Sequence, residues 1–168
     1  MDSLNILKTS ASAAPAKGKI AGIDFGTVRI GIAICDAERI VAVPYEIYRR
    51  RSEALDLKYF RDFVATERIV HFVVGLPLHG NGDFSEKARE AVAFGAKLAA
   101  ATGLTVDYLD ERFTSVIADG LLRDANLSAK KRKERLDKVA AQLILSTYLE
   151  RGCVGTREFE SLEDGADG

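Results

Sequence analysis

The hydrophobic period of this chain changes partway along, and that change restricts it to one class of fold. Residues 19–24, 28–35 and 40–48 are three short apolar runs. Phe25-Gly26-Thr27 and Asp36-Ala37-Glu38-Arg39 separate them. Both connections have hairpin length, which predicts three antiparallel strands. Pro44 inside the third run removes a ladder donor and predicts an edge strand or a bulge. From Ser52 the period becomes helical. Leu57, Phe60, Phe63 and Val64 share one helix face, and the Ser52 hydroxyl suits the N-cap. Residues 69–75 (IVHFVVG) form a continuous apolar run, as expected of a strand covered on both faces. Ala88, Ala91, Val92, Gly95, Leu98 and Ala99 make a second helical stripe, closed by Gly103 and preceded by Asp83 and Glu86 at capping-box spacing. Residues 104–109 read as a fifth strand. Thr114 caps a helix reaching about Leu122, and a last helix runs from about 134 to 151. The order β-β-β-α-β-α-β-α-α predicts an α/β protein: a mixed five-stranded sheet with helices on both faces.

Length and composition fit one such domain. The 168 residues are 47% hydrophobic and 29% charged, enough for one core. No run approaches the roughly 20 apolar residues of a membrane helix. Cys35 and Cys153 cannot make a disulfide framework, and with His71 and His79 they match no zinc spacing, so a reducing compartment is expected. Residues 1–18 are Ser/Ala-rich without periodicity and read as a flexible leader. Residues 153–168 set Arg157 against Glu158, Glu160, Glu163, Asp164 and Asp167, and read as an acidic disordered tail. The folded body is expected over 19–152.

Three acidic positions stand out. Asp24 ends the first strand, Asp110 and Glu111 end the fifth, and Asp137 lies early in the last helix, on a stripe with Ala140, Ala141 and Ile144. Singly, each has an ordinary explanation: a turn-former, a solvated ion pair with Arg112, a complement to the helix dipole. Together they suggest a site for Mg²⁺ or Mn²⁺. Clustered carboxylates repel one another unless a dication lies between them, and these cations prefer hard oxygen ligands. Metal-assisted phosphodiester hydrolysis needs no histidine or cysteine. Strand alternation sends Asp110 and Glu111 to opposite faces, so either could be the ligand.

Cationic residues accompany the acids. Lys130, Lys131, Arg132, Lys133 and Arg135 precede Asp137, and Arg49, Arg50 and Arg51 follow the third strand. Such runs are commonly solvated, but beside a metal site they would contact phosphates. No aromatic stacking platform accompanies them, so base-specific readout is not indicated. His79 lies in a glycine-rich loop at a strand end, as a proton shuttle or simply exposed. His71, inside an apolar strand, is expected to be a partnered core residue.

Four ordered motifs carry a family resemblance. GIDFGTVRIGIAICD (22–36), VVGLP (73–77), DERFTS (110–115) and LDKVAAQLILSTYL (136–149) resemble the YqgF, or RuvX-like, family of pre-16S rRNA nucleases, earlier described as Holliday junction resolvases. The resemblance spans about 19–152. It implies a ribonuclease H-like fold, a cytoplasmic location and a divalent-metal nuclease acting on the 5′ end of precursor 16S rRNA, on pre-ribosomal particles or free. It carries the acidic set onto Asp24, Glu111 and Asp137 as catalytic metal ligands. It makes Arg29 and Arg112 candidate phosphate contacts, alongside Lys130, Lys131, Arg132 and Lys133. The loop 78–84 departs from the family's LPLNxDG-like pattern. Two alternatives stand beside this expectation: a resolvase of branched DNA, and a non-catalytic RNA-binding ribosome assembly factor. No membrane partner is expected, and a monomer or a homodimer fits.

Overall fold

The computed structural model describes residues 6–9, 14–79, 81, 83–112 and 128–160. Seven strands form one mixed sheet: β1 (Ile6–Thr9), β2 (Lys19–Phe25), β3 (Arg29–Cys35), β4 (Ala42–Arg49), β5 (Ile69–Leu76), β6 (Thr105–Asp110) and β7 (Thr156–Glu160). Their spatial order is β1-β7-β6-β5-β2-β3-β4. Among the described residues the helices are α1 (Glu53–Glu67), α2 (Glu86–Thr102) and α3 (Ala129–Glu150).

The expected core is present. β2, β3 and β4 are antiparallel neighbours, while β5 and β6 join β2 in parallel through α1 and α2. β4 is an edge strand, and its register with β3 shifts where Ala33 pairs with Pro44. The sheet exceeds the expected five strands by two. β1 and β7 lie within the segments read as leader and tail, pair with each other, and join β6 at Tyr108↔Thr156. Their register sets Leu7 opposite Phe159 and Lys8 opposite Glu158. Four- and five-residue strands so far apart in sequence leave too short an alternating pattern for periodicity to reveal.

Capping explains the helix starts. Ser52 accepts from Leu55 N at 3.2 Å. Ser85, not Asp83, caps α2 by accepting from Ala88 N at 3.0 Å. The Asp83 backbone carbonyl instead accepts from His79 N at 2.9 Å. Ser128 accepts from Lys131 N, so α3 begins several residues before the expected position near 134. The helix expected from Thr114 lies outside the described residues.

Each face of the sheet has its own core. α1 and α2 supply Phe60, Phe63, Ala91, Phe94 and Leu98 against Ile23, Ile30, Phe72 and Val74. On the other face α3 packs Ala141, Ile144, Leu145 and Tyr148 against Ile20, Ala33, Val73 and Leu109. Glycines let α3 come this close. A Cβ on Gly22 would sit 2.8 Å from both Ala141 O and Leu145 Cβ, and one on Gly75 would sit 2.5 Å from Ile144 Cδ1. A polar cluster fixes the far end of the helix. The Tyr148 hydroxyl donates to Asp107 Oδ2 at 2.5 Å and lies 2.9 Å from His71 Nε2. His71 Nδ1 lies 2.6 Å from Thr105 Oγ1. His71 and Asp107 are 0% exposed, so their hydrogen bonds are made here or nowhere. His71 is thus the partnered core residue the apolar strand implied.

Ile144 reaches Gly75 and Tyr148 reaches His71, so α3 runs antiparallel to β5. Its N-terminal half therefore lies toward the C-terminal ends of β2, β5 and β6. Tyr148→Phe should destabilise the protein by about 1–3 kcal/mol, because buried His71 and Asp107 each lose a partner. Urea denaturation measures this, and an unchanged midpoint would refute the anchoring role.

Candidate active site

Asp24 is the penultimate residue of β2 and pairs across to Gly31 of β3. Glu111 follows the last residue of β6. Its backbone N donates to Leu76 O at 2.9 Å, which curls the chain over the end of β5. Gly75 lies directly beneath, and any Cβ there would overlap Glu111 Oε1. A side chain at position 75 would thus fill the space that Glu111 occupies. The strand order places β5 between β2 and β6, and the long Glu111 side chain crosses it to meet Asp24.

Asp110 turns elsewhere. Its carboxylate accepts from Arg112 N at 2.9 Å, from Arg112 Nε at 2.8 and 3.0 Å, and from a terminal guanidinium nitrogen at 2.5 Å. Of the two consecutive acids at this strand end, Asp110 is committed to Arg112 and Glu111 to Asp24.

The Asp24–Glu111 pair raises the affinity of Glu111 for a proton. Glu111 is pushed up from 4.5 to about 8, first by burial, then by the charge of Asp24 and a hydrogen bond with it, then by Asp110; Lys87 pulls the other way. Two carboxylates this close cannot both be anionic in a half-dry site. A proton relieves the repulsion in the metal-free chain, and a dication could replace it. The donor set therefore fits a hard divalent cation such as Mg²⁺ or Mn²⁺. Among the described residues no group of three or more His, Cys, Asp or Glu could hold a metal. The Asp137 side chain lies outside the described residues. Its backbone position is one turn before Ala141, which covers Gly22, on the same stripe and toward the Asp24 end of β2.

The turn after Asp24 is braced from the opposite face. Arg50 donates to Gly26 O at 3.5 Å and Thr27 O at 3.4 Å, lies 4.8 Å above the Phe25 ring, and pairs with Asp56 at 3.2 Å. Asp56, 2% exposed, also accepts from Tyr48 OH and Arg51 N, each at 2.8 Å. A cleft of ≈ 300 Å³ opens beside Asp24, lined by Gly26, Thr27, Arg29, Lys87 and Glu90.

The other expected residues distribute around this centre. Arg29 is exposed in the cleft. Arg112 is exposed and held by Asp110. Lys130, Lys131 and Arg132 are exposed in the first turn of α3. Lys133 lies on the same helix, its side chain outside the described residues. His79 is exposed in its loop. Sequence reading passed over Lys87 and the bracing role of Arg50. Lys87 sits two residues after its N-cap, where nothing in the pattern separates it from an ordinary surface lysine. Arg50 is the middle of a triple arginine whose members differ only in the face they meet.

Comparison with known proteins gives this geometry a family. The family model described as RuvX, Holliday junction resolvase, matches residues 18–151. The chain belongs to the RuvX family. A relative from Rhodopirellula baltica is 44% identical over 84% of this chain and 82% of its own length. Another from Koribacter versatilis is 40% identical, over 84% and 92%. Both bear the name "Putative pre-16S rRNA nuclease". Membership makes the chain a nuclease, a hydrolase of phosphodiester bonds. Among solved structures, Thermus thermophilus RuvC in complex with a Holliday junction substrate superposes with a TM-score of 0.50 at 13% identity, covering 83% of this chain and 99% of that one. This likeness fixes the fold as ribonuclease H-like.

Glu111 releases its proton near pH 4.5 when unfolded and near pH 8 when folded without metal. Between those values the folded state holds more protons, so stability is full below pH 4.5 and declines as pH rises toward 8. Glu111→Gln should abolish this decline and leave the metal-free variant more stable than wild type at pH 8 by about 1 kcal/mol or more. Urea titrations at pH 5, 6.5 and 8 with chelator test this; parallel profiles would contradict the shared proton.

Proposed function

We propose that this RuvX-family chain is a divalent-metal-dependent nuclease that trims the 5′ end of precursor 16S rRNA during ribosome biogenesis, in the cytoplasm. The observation that supports the metal dependence is the half-buried Asp24–Glu111 pair, two hydrogen-bonded carboxylates whose mutual repulsion a dication would offset. The names of relatives 40–44% identical support the RNA substrate. Free Cys35 and Cys153 accord with a reducing compartment.

Asp24 and Glu111 would hold Mg²⁺ or Mn²⁺, with Asp137 as the third ligand from α3. When bound, the cation offsets charge developing on the phosphate oxygens and acidifies water. The chain's own residues do the rest. Glu111 would have to be ionised to serve as a ligand, a state that the positive charge of Lys87 favours. The brace of Arg50 and Asp56 keeps the Phe25-Gly26-Thr27 turn, and with it Asp24, in place. Arg29, Arg112 and the cations Lys130, Lys131, Arg132 and Lys133 attract the phosphate backbone without reading bases. Monomer and homodimer are both compatible with this reading.

The family description favours a second substrate, branched DNA. One experiment separates the two. Purified protein with Mn²⁺ is incubated with 5′-extended pre-16S rRNA and with a four-way DNA junction. Cleavage of the RNA alone is the expected result, and cleavage of the junction alone would transfer the assignment to resolvase. Asp24→Asn should lower the rate by 100-fold or more and weaken Mn²⁺ binding measured by calorimetry. RNA binding that Asp24→Asn leaves unchanged, with no metal-dependent cleavage by wild type, would mark a non-catalytic assembly factor.

A further inference from the structure

Arg29 and Arg49 are direct partners across the antiparallel β3–β4 ladder. Side chains at such positions stand on the same face, and like charges placed there repel. The face is identifiable. Ala33 and Cys35, at even spacing from Arg29 along β3, pack in the core beneath α3. Asp24 shares that face, because it pairs with Gly31 in the adjoining row. Both arginines are exposed. Neither has a carboxylate partner among the described residues, whereas Arg50 is spent on Asp56 and Arg112 on Asp110. A repelling pair with no ion-pair partner among the described residues, one and two strands from Asp24, is a cost that an anion would remove.

The surroundings indicate which anion. Arg29 lines the cleft beside Asp24. Arg49 lines the next groove, of ≈ 650 Å³, together with Arg51 and Lys58. Lys58 is paired with Asp62 at the surface, while Arg51 offers an exposed guanidinium with no ion pair among the described residues. The two hollows share Ile47 and adjoin at the Arg29–Arg49 pair. Glu90 lines the first hollow and Glu46 and Asp62 the second, Asp62 being paired with Lys58, but an extended polyanion leaving Asp24 would still meet Arg29, Arg49 and Arg51 in turn toward the β4 edge.

We propose that Arg29 and Arg49 form a phosphate clamp that holds a backbone phosphate of the nucleic-acid strand next to the scissile one, and that the Arg49–Arg51 groove carries that strand away over the β4 edge. The nucleic-acid identity of the occupant rests on the nuclease reading; the anion site itself does not. One phosphate shared between two guanidiniums offsets their repulsion and sets the distance from the cut to the departing strand.

Two measurements on the full chain test the clamp. In low-salt buffer with chelator, inorganic phosphate should raise the melting temperature of wild type. Arg49→Gln should lose that rise, Arg29→Gln should lose it equally, and the double variant should lose no more, since one phosphate serves both. Lys97→Gln, on the α1–α2 face, should keep it. With Asp24→Asn protein to prevent turnover, adding Arg49→Gln should weaken binding of a 5′-extended pre-16S fragment by about 3–10-fold and reduce the slope of log Kd against log salt by about one. An equal phosphate rise in wild type and Arg49→Gln, or none in wild type, would overturn the clamp. Failure of wild type to cleave any nucleic acid with Mn²⁺, while the phosphate rise still depends on Arg49, would overturn the nuclease reading and leave an anion site.

Discussion

The close seating of α3 on the sheet is the constraint on which the site depends. Gly22 and Gly75 have no side chains, so the helix approaches to where a single added methyl would collide with it. Tyr148, His71 and Asp107 then lock its far end in a cluster sealed from water. With the C-terminal half fixed in this way, the direction of the remaining turns is fixed too. They extend toward the strand ends where Asp24 and Glu111 meet. Close packing at one end of the helix thus positions chemistry at the other.

The acidic pair is a second, opposing constraint. Burial and mutual repulsion make the metal-free site less stable as Glu111 ionises. The fold tolerates this cost because the sheet ends are set by the ladder between β2, β5 and β6 and not by the carboxylates. The same reasoning applies at the periphery, where Arg29 faces Arg49. Attractive contacts hold the scaffold, while like-charged groups face one another at Asp24–Glu111 and Arg29–Arg49, where the proposed function would bring a cation and a phosphate. Such an arrangement gives up some stability of the empty protein for binding energy of the opposite sign.

Much of the architecture was legible in the residues. The three hairpin-spaced runs, the switch to helical period at Ser52 and the apolar run 69–75 correspond to β2, β3, β4, α1 and β5. Pro44 marked the edge strand. β1 and β7 were not legible, because two short strands acquire meaning only when they pair across nearly the whole chain. The cap of α2 was misassigned because Asp83 and Ser85 are both good cap residues, and only the backbone decides which hydroxyl or carboxylate meets Ala88 N.

By itself the sequence determined the order of the elements from β2 to β6, and the family, and it singled out three acidic positions as candidates, since these follow from local periodicity and from motifs read along one dimension. Only the tertiary structure decided between Asp110 and Glu111 as the partner of Asp24. Adjacent residues differ little in sequence, but the backbone bond from Glu111 to Leu76 and the space above Gly75 send one acid inward and leave the other to Arg112. It likewise separated three consecutive arginines, giving Arg50 to a buried carboxylate and Arg49 to the face of Asp24, because strand alternation assigns neighbours to opposite sides.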